Sequence, residues 1–314
     1  VFFSGHSLLD NPLPDWIELI AESRGDTLGW EEQIVLGSPI RVRTKGDDAQ
    51  AAGFTGYQLG KGKGEKINVL RELASPTALA AGEKYQRLVI TERNDLIGTI
   101  QWEDTIGYLR HFHDQLVQHE ASAGTSLYQC WPDMDKQNVA AWLAYVKQEL
   151  FVWECVVARV NQSLAAAKRA DRVDIIPGGL ALSRLVESAL AGDVPGIEGK
   201  PAQRLDALLA DEVHLQPIGV YLLAAVHYAA LFGRSPVGGA APREIDAAAV
   251  PVLQRIAWQT VEAYRARAAS PPALAECRTR VAKEICPAYY RLRGKPEKVA
   301  QCASWASEDS PLAD

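Results

Sequence analysis

Short apolar runs alternate with stretches of helical period along the first three quarters of the chain. Strands are predicted near residues 1–4, 33–36, 87–91, 126–130 and 172–176, each four or five residues long and apolar on successive positions. Between them, residues 16–23, 102–119, 138–167 and 180–191 carry apolar residues at helical spacing. Strands buried on both faces and separated by helices specify an α/β chain, a three-layer α/β/α sandwich around about five parallel strands. In such sheets ligands sit outside the carboxyl ends of the strands.

The pattern changes further along. Ile218 to Phe232 is the longest apolar stretch; His227 and Tyr228 interrupt it, and it falls short of the roughly 18–20 residues that cross a bilayer, so it reads as a buried helix. Pro236 to Pro242 reads as a linker, and residues 247–269 as an amphipathic helix carrying Trp258 and Tyr264, followed by a Pro-rich turn and a basic helix over 277–285. We therefore divide the chain into a domain over 1–234 and a helical C-terminal extension over 235–314. Residues 41–86 exceed what a minimal sheet needs. Their Gly60-Lys61-Gly62-Lys63-Gly64 run lacks the closing Lys-Ser or Lys-Thr of a phosphate loop, and we expect a solvated loop able to wall a cleft.

Composition narrows the function classes. The chain has 314 residues, of which 47% are hydrophobic, enough for a large core, and a net charge of −6 without a basic cluster. Nucleic acid is thus a poor partner, and a small or neutral polymeric substrate fits better. No cofactor motif occurs. His111 and His113, two apart on a helix, point in different directions, and neither they nor the Asp133–Asn138 segment has metal-ligand spacing; the latter suits helix capping.

The chemistry-bearing residues lie where the strands should end. Val1-Phe2-Phe3-Ser4-Gly5-His6-Ser7-Leu8-Leu9-Asp10 is an apolar run that stops at a glycine and presents a serine. A serine hydroxyl needs an imidazole to take its proton, and that imidazole needs a carboxylate to fix its tautomer. His214 and Asp211, three apart in Asp211-Glu212-Val213-His214, supply both.

At these positions the sequence resembles the SGNH (GDSL) hydrolase family. Gly5-His6-Ser7-Leu8 with Asp10 is similar to its first block, Gly37 to its second, Asn94-Asp95 to its third, and Asp211 with His214 to its fifth. The resemblance implies a flavodoxin-like fold and a Ser7–His214–Asp211 catalytic triad. It also implies an oxyanion hole formed by the amides of Ser7 and Gly37 with the side chain of Asn94. Two positions depart from the pattern: His6 replaces an aspartate, and Glu92 replaces a glycine. Glu92 is a candidate to point away, cap a helix or bind substrate. Trp102 and Trp131, after the third and fourth strands, are candidate substrate platforms, with core packing as the alternative.

The chain begins inside its first strand, which suggests removal of an upstream segment such as a secretory signal and a periplasmic or secreted location. Its five cysteines read either as buried thiols or as one or two disulfides, Cys130 with Cys155 and one pair within the tail, with at least one thiol left over. Together these features suggest a serine esterase acting on small acyl esters, with O-acetyl groups on carbohydrate as one substrate class. The alternatives are a polysaccharide O-acetyltransferase and a noncatalytic carbohydrate-binding protein on the same scaffold.

Overall fold

A computed structural model describes residues 1–48, 52–268 and 271–313. Five strands form its sheet: β1 (Phe2–Gly5), β2 (Glu31–Ile34), β3 (Arg87–Ile90), β4 (Gly124–Tyr128) and β5 (Val173–Ile176). They lie in the order β2-β1-β3-β4-β5, every pair parallel, which is the flavodoxin-like arrangement. Alternation along β1 shows why both faces must be covered. Phe2 packs on Tyr85 and Phe112 on one side, and Phe3 meets Trp30 on the other.

Helices fill the two outer layers. On one side α1 (Leu13–Ser23) packs on α9 (Pro217–Phe232), which in turn packs on α7 (Gly178–Ala191) and α10 (Val250–Ala268). On the other, α5 (Thr105–His119) packs on the 28-residue α6 (Val139–Ala166) and on the short α2 (Ile40–Thr44) and α3 (Val69–Ala74). The Ile218–Phe232 stretch is the buried helix its composition predicts; among the described residues no helix is long and apolar enough to cross a membrane. The predicted helix over 247–269 begins at Val250, and its last residue lies outside the described set.

Two strands start two residues earlier than the apolar pattern suggests. β2 takes in Glu31 and Glu32 ahead of Gln33, and polar side chains tie this edge to its neighbours: Glu31 Oε1 accepts the Lys63 amide, and Gln33 Nε2 donates to the carbonyls of Arg43, Gly56 and Leu59. The apolar Leu36, assigned to the strand by pattern alone, instead stands exposed in the following turn. β4 begins at Gly124 because Gly124 and Thr125 pair with Arg87 and Leu88. It ends before Gln129, whose carbonyl and side chain accept the amides of Gly179 and Leu180 at the start of α7.

The helix predicted over 102–119 is α5, which begins at Thr105 where Asp104 caps it by accepting the Gly107 amide at 3.2 Å; a short helix the pattern did not predict, α4 (Leu96–Ile100), precedes it. The glycine-rich insertion covers an edge: Lys61 exchanges backbone hydrogen bonds with Ile34, and its ammonium lies 2.7 Å from Asp10. Pro236 to Pro242 is held down, with Gln254 bonded to Gly238 and Gly239 and the Ala240 amide donating to Ser23 Oγ.

The tail comprises α11 (Leu274–Arg280), a wider turn (Val281–Ile285), α12 (Cys286–Leu292) and a run of 3-10 turns (Pro296–Ala306). Disulfides join Cys155 on α6 to Cys277, and Cys286 to Cys302. The pair within the tail matches one expectation, whereas the Cys130–Cys155 pair does not form. Cys130 points under the strand ends toward Thr91 Oγ1 at 3.0 Å, a buried thiol pushed up to about 12 by desolvation; Cys155 faces α11.

The Cys155–Cys277 bridge spans 122 residues and fastens the tail to α6. The Cys155→Ala/Cys277→Ala variant is expected to lose about 2–4 kcal/mol of unfolding free energy in urea titrations followed by tryptophan fluorescence. An unchanged midpoint would mean that packing alone holds the tail.

Candidate active site

The serine turn follows β1 directly. Gly5 is required by space: a Cβ there would lie 2.7 Å from Leu9 Cβ, so any side chain would push the turn open. His6 fastens the turn from below. Its Nδ1 accepts the Leu8 amide at 3.4 Å, which puts the proton on Nε2 to donate to the Glu92 carbonyl at 3.1 Å. Burial first, and then the nearby Arg43 guanidinium, lower the imidazole to about 3, so it is neutral. The departure from aspartate at this position thus exchanges a charge for a neutral donor and acceptor.

The second piece is a closed loop between α8 (Pro201–Asp206) and α9. Leu209 and Leu215 form an antiparallel bridge, with the Ala210 amide on the His214 carbonyl and the Gln216 amide on the Leu208 carbonyl. Within the loop Asp211 Oδ1 accepts the amides of Val213 and His214 at 2.8 and 2.7 Å. Those two backbone donors, and then the imidazole, pull the carboxyl down to about 2. The loop is anchored from outside by the Trp131 indole N–H on the Val213 carbonyl and by the Met134 amide on the Glu212 carbonyl.

These two pieces meet. Asp211 Oδ2 accepts from His214 Nδ1 at 2.6 Å, and His214 Nε2 faces Ser7 Oγ at 2.9 Å, across 207 residues of sequence. With Nδ1 protonated toward the carboxylate, Nε2 is the acceptor for the serine proton. The arrangement can therefore deprotonate Ser7 as it attacks and pass the proton on to a leaving group.

Gly37 and Asn94 follow β2 and β3, the strands that flank β1, so their loops border the serine turn on either side. Gly37 has φ +64° with nothing near a would-be Cβ, so backbone conformation, not space, demands glycine there. Asn94 Nδ2 donates to Asp133 Oδ1 at 2.9 Å. The carboxylate fixes the amide's orientation, because a flipped Asn94 would set oxygen against oxygen, and it leaves one N–H of the amide free. Asp133 serves this purpose rather than capping α6, whose first turn has no side-chain cap.

Two of the remaining candidates, Glu92 and Trp131, are committed to other partners. Glu92 is fully buried: one oxygen accepts the amides of Ile40 and Arg93, the other the Thr105 hydroxyl at 2.7 Å, with Arg43 nearby. A carboxylate so engaged has no face for a substrate; it knots the loops after β2 and β3 to α5. Trp131 is likewise buried, in support of the acid loop. Trp102 is 81% exposed on the α4–α5 loop, so core packing does not hold its ring. Of the doubted histidines, His111 stacks on Phe54 and bonds Tyr57, whereas His113 bonds Thr125 and Asp171.

The residue that sequence reasoning passed over is Arg43. It is wholly buried under the serine turn, with Nε donating to Ser4 Oγ, Nη1 to the carbonyl and hydroxyl of Ser38, and Nη2 to the Thr91 carbonyl. An arginine in a short helix after a polar strand carries no local signal of this. A cleft of about 930 Å³ adjoins the acid loop, between residues 132–137 and the tail residues Tyr289, Leu292, Arg293 and Lys295.

No family model matches the chain, and no curated protein matches it. Among solved structures it is similar to a DUF4886 family protein from Bacteroides uniformis ATCC 8492, with a TM-score of 0.55 and 15% identity over 83% of this chain and 93% of that one. At that identity the likeness bears on the fold, and it agrees with the parallel three-layer sheet.

The neutral, buried His6 makes stability depend on pH with a defined sign. The unfolded imidazole takes up a proton below its ordinary 6.5 and the folded one only near 3, so this contribution is full above 6.5 and lost as pH falls toward 3. Urea titrations between pH 7 and 4 are expected to show the wild type losing stability more steeply than His6→Asn. The difference should approach one proton, about 1.4 kcal/mol per pH unit. Parallel curves would mean that His6 carries its charge in the folded protein.

Proposed function

We propose that the protein is a serine hydrolase of carboxylic esters of the SGNH type. The observation that carries this reading is the unbroken Ser7–His214–Asp211 chain of hydrogen bonds at 2.9 and 2.6 Å, at the carboxyl ends of the strands. Ser7 Oγ attacks the ester carbonyl while His214 Nε2 takes its proton. Asp211, held ionised by two amides, steadies the imidazolium that forms. The oxyanion would be met by the amides of Ser7 and Gly37 and the free N–H of Asn94. Collapse expels the alcohol, which takes the proton from His214, and water repeats the sequence on the acyl-enzyme.

The two departures from the family pattern support a catalytic rather than a purely binding role, because both are absorbed by packing: His6 neutral beneath the turn, Glu92 knotted to Ile40 and Thr105. Two disulfides favour an oxidising compartment, and a periplasmic or secreted location is proposed on that ground. Small acyl esters, O-acetylated carbohydrate among them, are the proposed substrates.

Steady-state hydrolysis of 4-nitrophenyl acetate tests the assignment. Ser7→Ala and His214→Ala are each expected to lower kcat by about a thousandfold or more with the unfolding midpoint kept. Asn94→Ala is expected to cost about a hundredfold. A folded Ser7→Ala protein with wild-type turnover would overturn the reading.

A further inference from the structure

The tail reaches the candidate oxyanion donor through the end of α12. Arg293, half-buried, puts Nη1 3.9 Å from Asp133 Oδ2 and Nη2 3.9 Å from Asp95 Oδ2. Both carboxylates are neighbours of Asn94. Asp95 follows it in the chain, and Asp133 Oδ1 accepts its Nδ2 at 2.9 Å. One guanidinium thus stands between the two groups that bracket the carboxamide.

The tail holds that guanidinium in place. The Arg293 amide donates to the Tyr289 carbonyl at 3.1 Å, and Arg293 Cζ lies 5.7 Å from the centre of the Tyr289 ring. The ring is buried, 6.2 Å from that of Tyr145 on α6, and the Cys286–Cys302 disulfide ties α12 to the last turns. Asp95 depends on this company. Its Oδ1 is buried with no hydrogen-bond partner among the described residues, and its side chain makes no cap bond to α4. A Cβ on Gly98 would lie 2.8 Å from Asp95 Oδ2 and 3.0 Å from the Tyr289 hydroxyl, so the bare backbone there admits both groups. A carboxylate so enclosed has given up hydration, and the hydroxyl and cation from α12 offset that loss.

Asp133 needs support for a different reason. It lies in an irregular segment before α6, and its side chain is 45% exposed. An oxyanion donor works by being aimed before the charge develops, and a carboxamide turns if its acceptor turns. By attracting the second oxygen of Asp133, Arg293 sets the plane of the carboxylate that orients Asn94. It also offsets two negative charges that would repel an oxyanion nearby.

Resting on the serine-esterase reading, we propose that Arg293 is a positioning residue of that reaction, which aims the Asn94 amide at the oxyanion through Asp133 and Asp95. The C-terminal extension then completes the active site instead of only packing beside it.

A double-mutant cycle on 4-nitrophenyl acetate hydrolysis tests this. Arg293→Gln is expected to lower kcat about tenfold, with KM within about twofold of wild type and the urea midpoint kept, and Arg293→Lys should recover part of the loss. In an Asn94→Ala background the same Arg293→Gln change should cost less than about twofold, because the group it aims is gone. Asp133→Ala, at the other end of the contact, should show the same pattern and serves if Arg293→Gln does not fold. Wild-type kcat in folded Arg293→Gln, a loss confined to KM, an equal loss with and without Asn94, or an Asn94→Ala protein as active as wild type would each overturn the proposal and leave the esterase reading standing. Absence of Ser7-dependent turnover in the wild type would instead overturn that reading, and the proposal with it.

Discussion

Burying a guanidinium costs several kcal/mol unless its N–H groups are met by acceptors, and Arg43 makes four hydrogen bonds, with every nitrogen engaged, at the ends of three strands. Ser4 belongs to β1, Ser38 to the turn after β2, and Thr91 to the end of β3. One side chain thereby sets the relative heights of the loops that carry Ser7, Gly37 and Asn94. Burial lowers the guanidinium to about 10, against the opposing pull of Glu92, so it stays charged at neutral pH. Glu92 lies beside it and spends its own oxygens on Ile40, Arg93 and Thr105. The platform is thus electrostatic at its centre and apolar around it.

Geometry alone does not make a hydroxyl a nucleophile, and the protein contains its own control. Near the amino ends of the strands, Thr125 Oγ1 lies 2.9 Å from His113 Nδ1, and His113 Nε2 lies 2.6 Å from Asp171. The types and distances match those at Ser7. There, however, both the threonine and the histidine are fully buried, and Arg169 holds Asp171 well below the usual carboxylate range. That set is a structural tie between α5, β4 and the loop before β5. Position at the carboxyl ends of the strands and access to solvent distinguish the Ser7 set from it.

Much of this was legible in the sequence because it is encoded locally. Apolar runs four residues long announce parallel strands, and Asp211-x-x-His214 lies in one short loop whose bridge needs only Leu209 and Leu215. What was not legible depends on long-range polar partners. The polar start of β2 looks like loop until Gln33 is seen bonded to three carbonyls, and Trp131 looks like a sugar platform until its indole is found on Val213. Cys155 could not be assigned to Cys277 from spacing, since the two are brought together by α11 packing on α6.

The most direct measurement of the central claim is covalent. A fluorophosphonate reacts with a serine only where a base activates it and an oxyanion site receives the developing charge. Peptide mapping by mass spectrometry after labelling is expected to find the adduct on Ser7 in the wild type and to lose it in folded His214→Ala. Folded wild-type protein that remains unlabelled at Ser7, or an adduct on another serine, would contradict the claim.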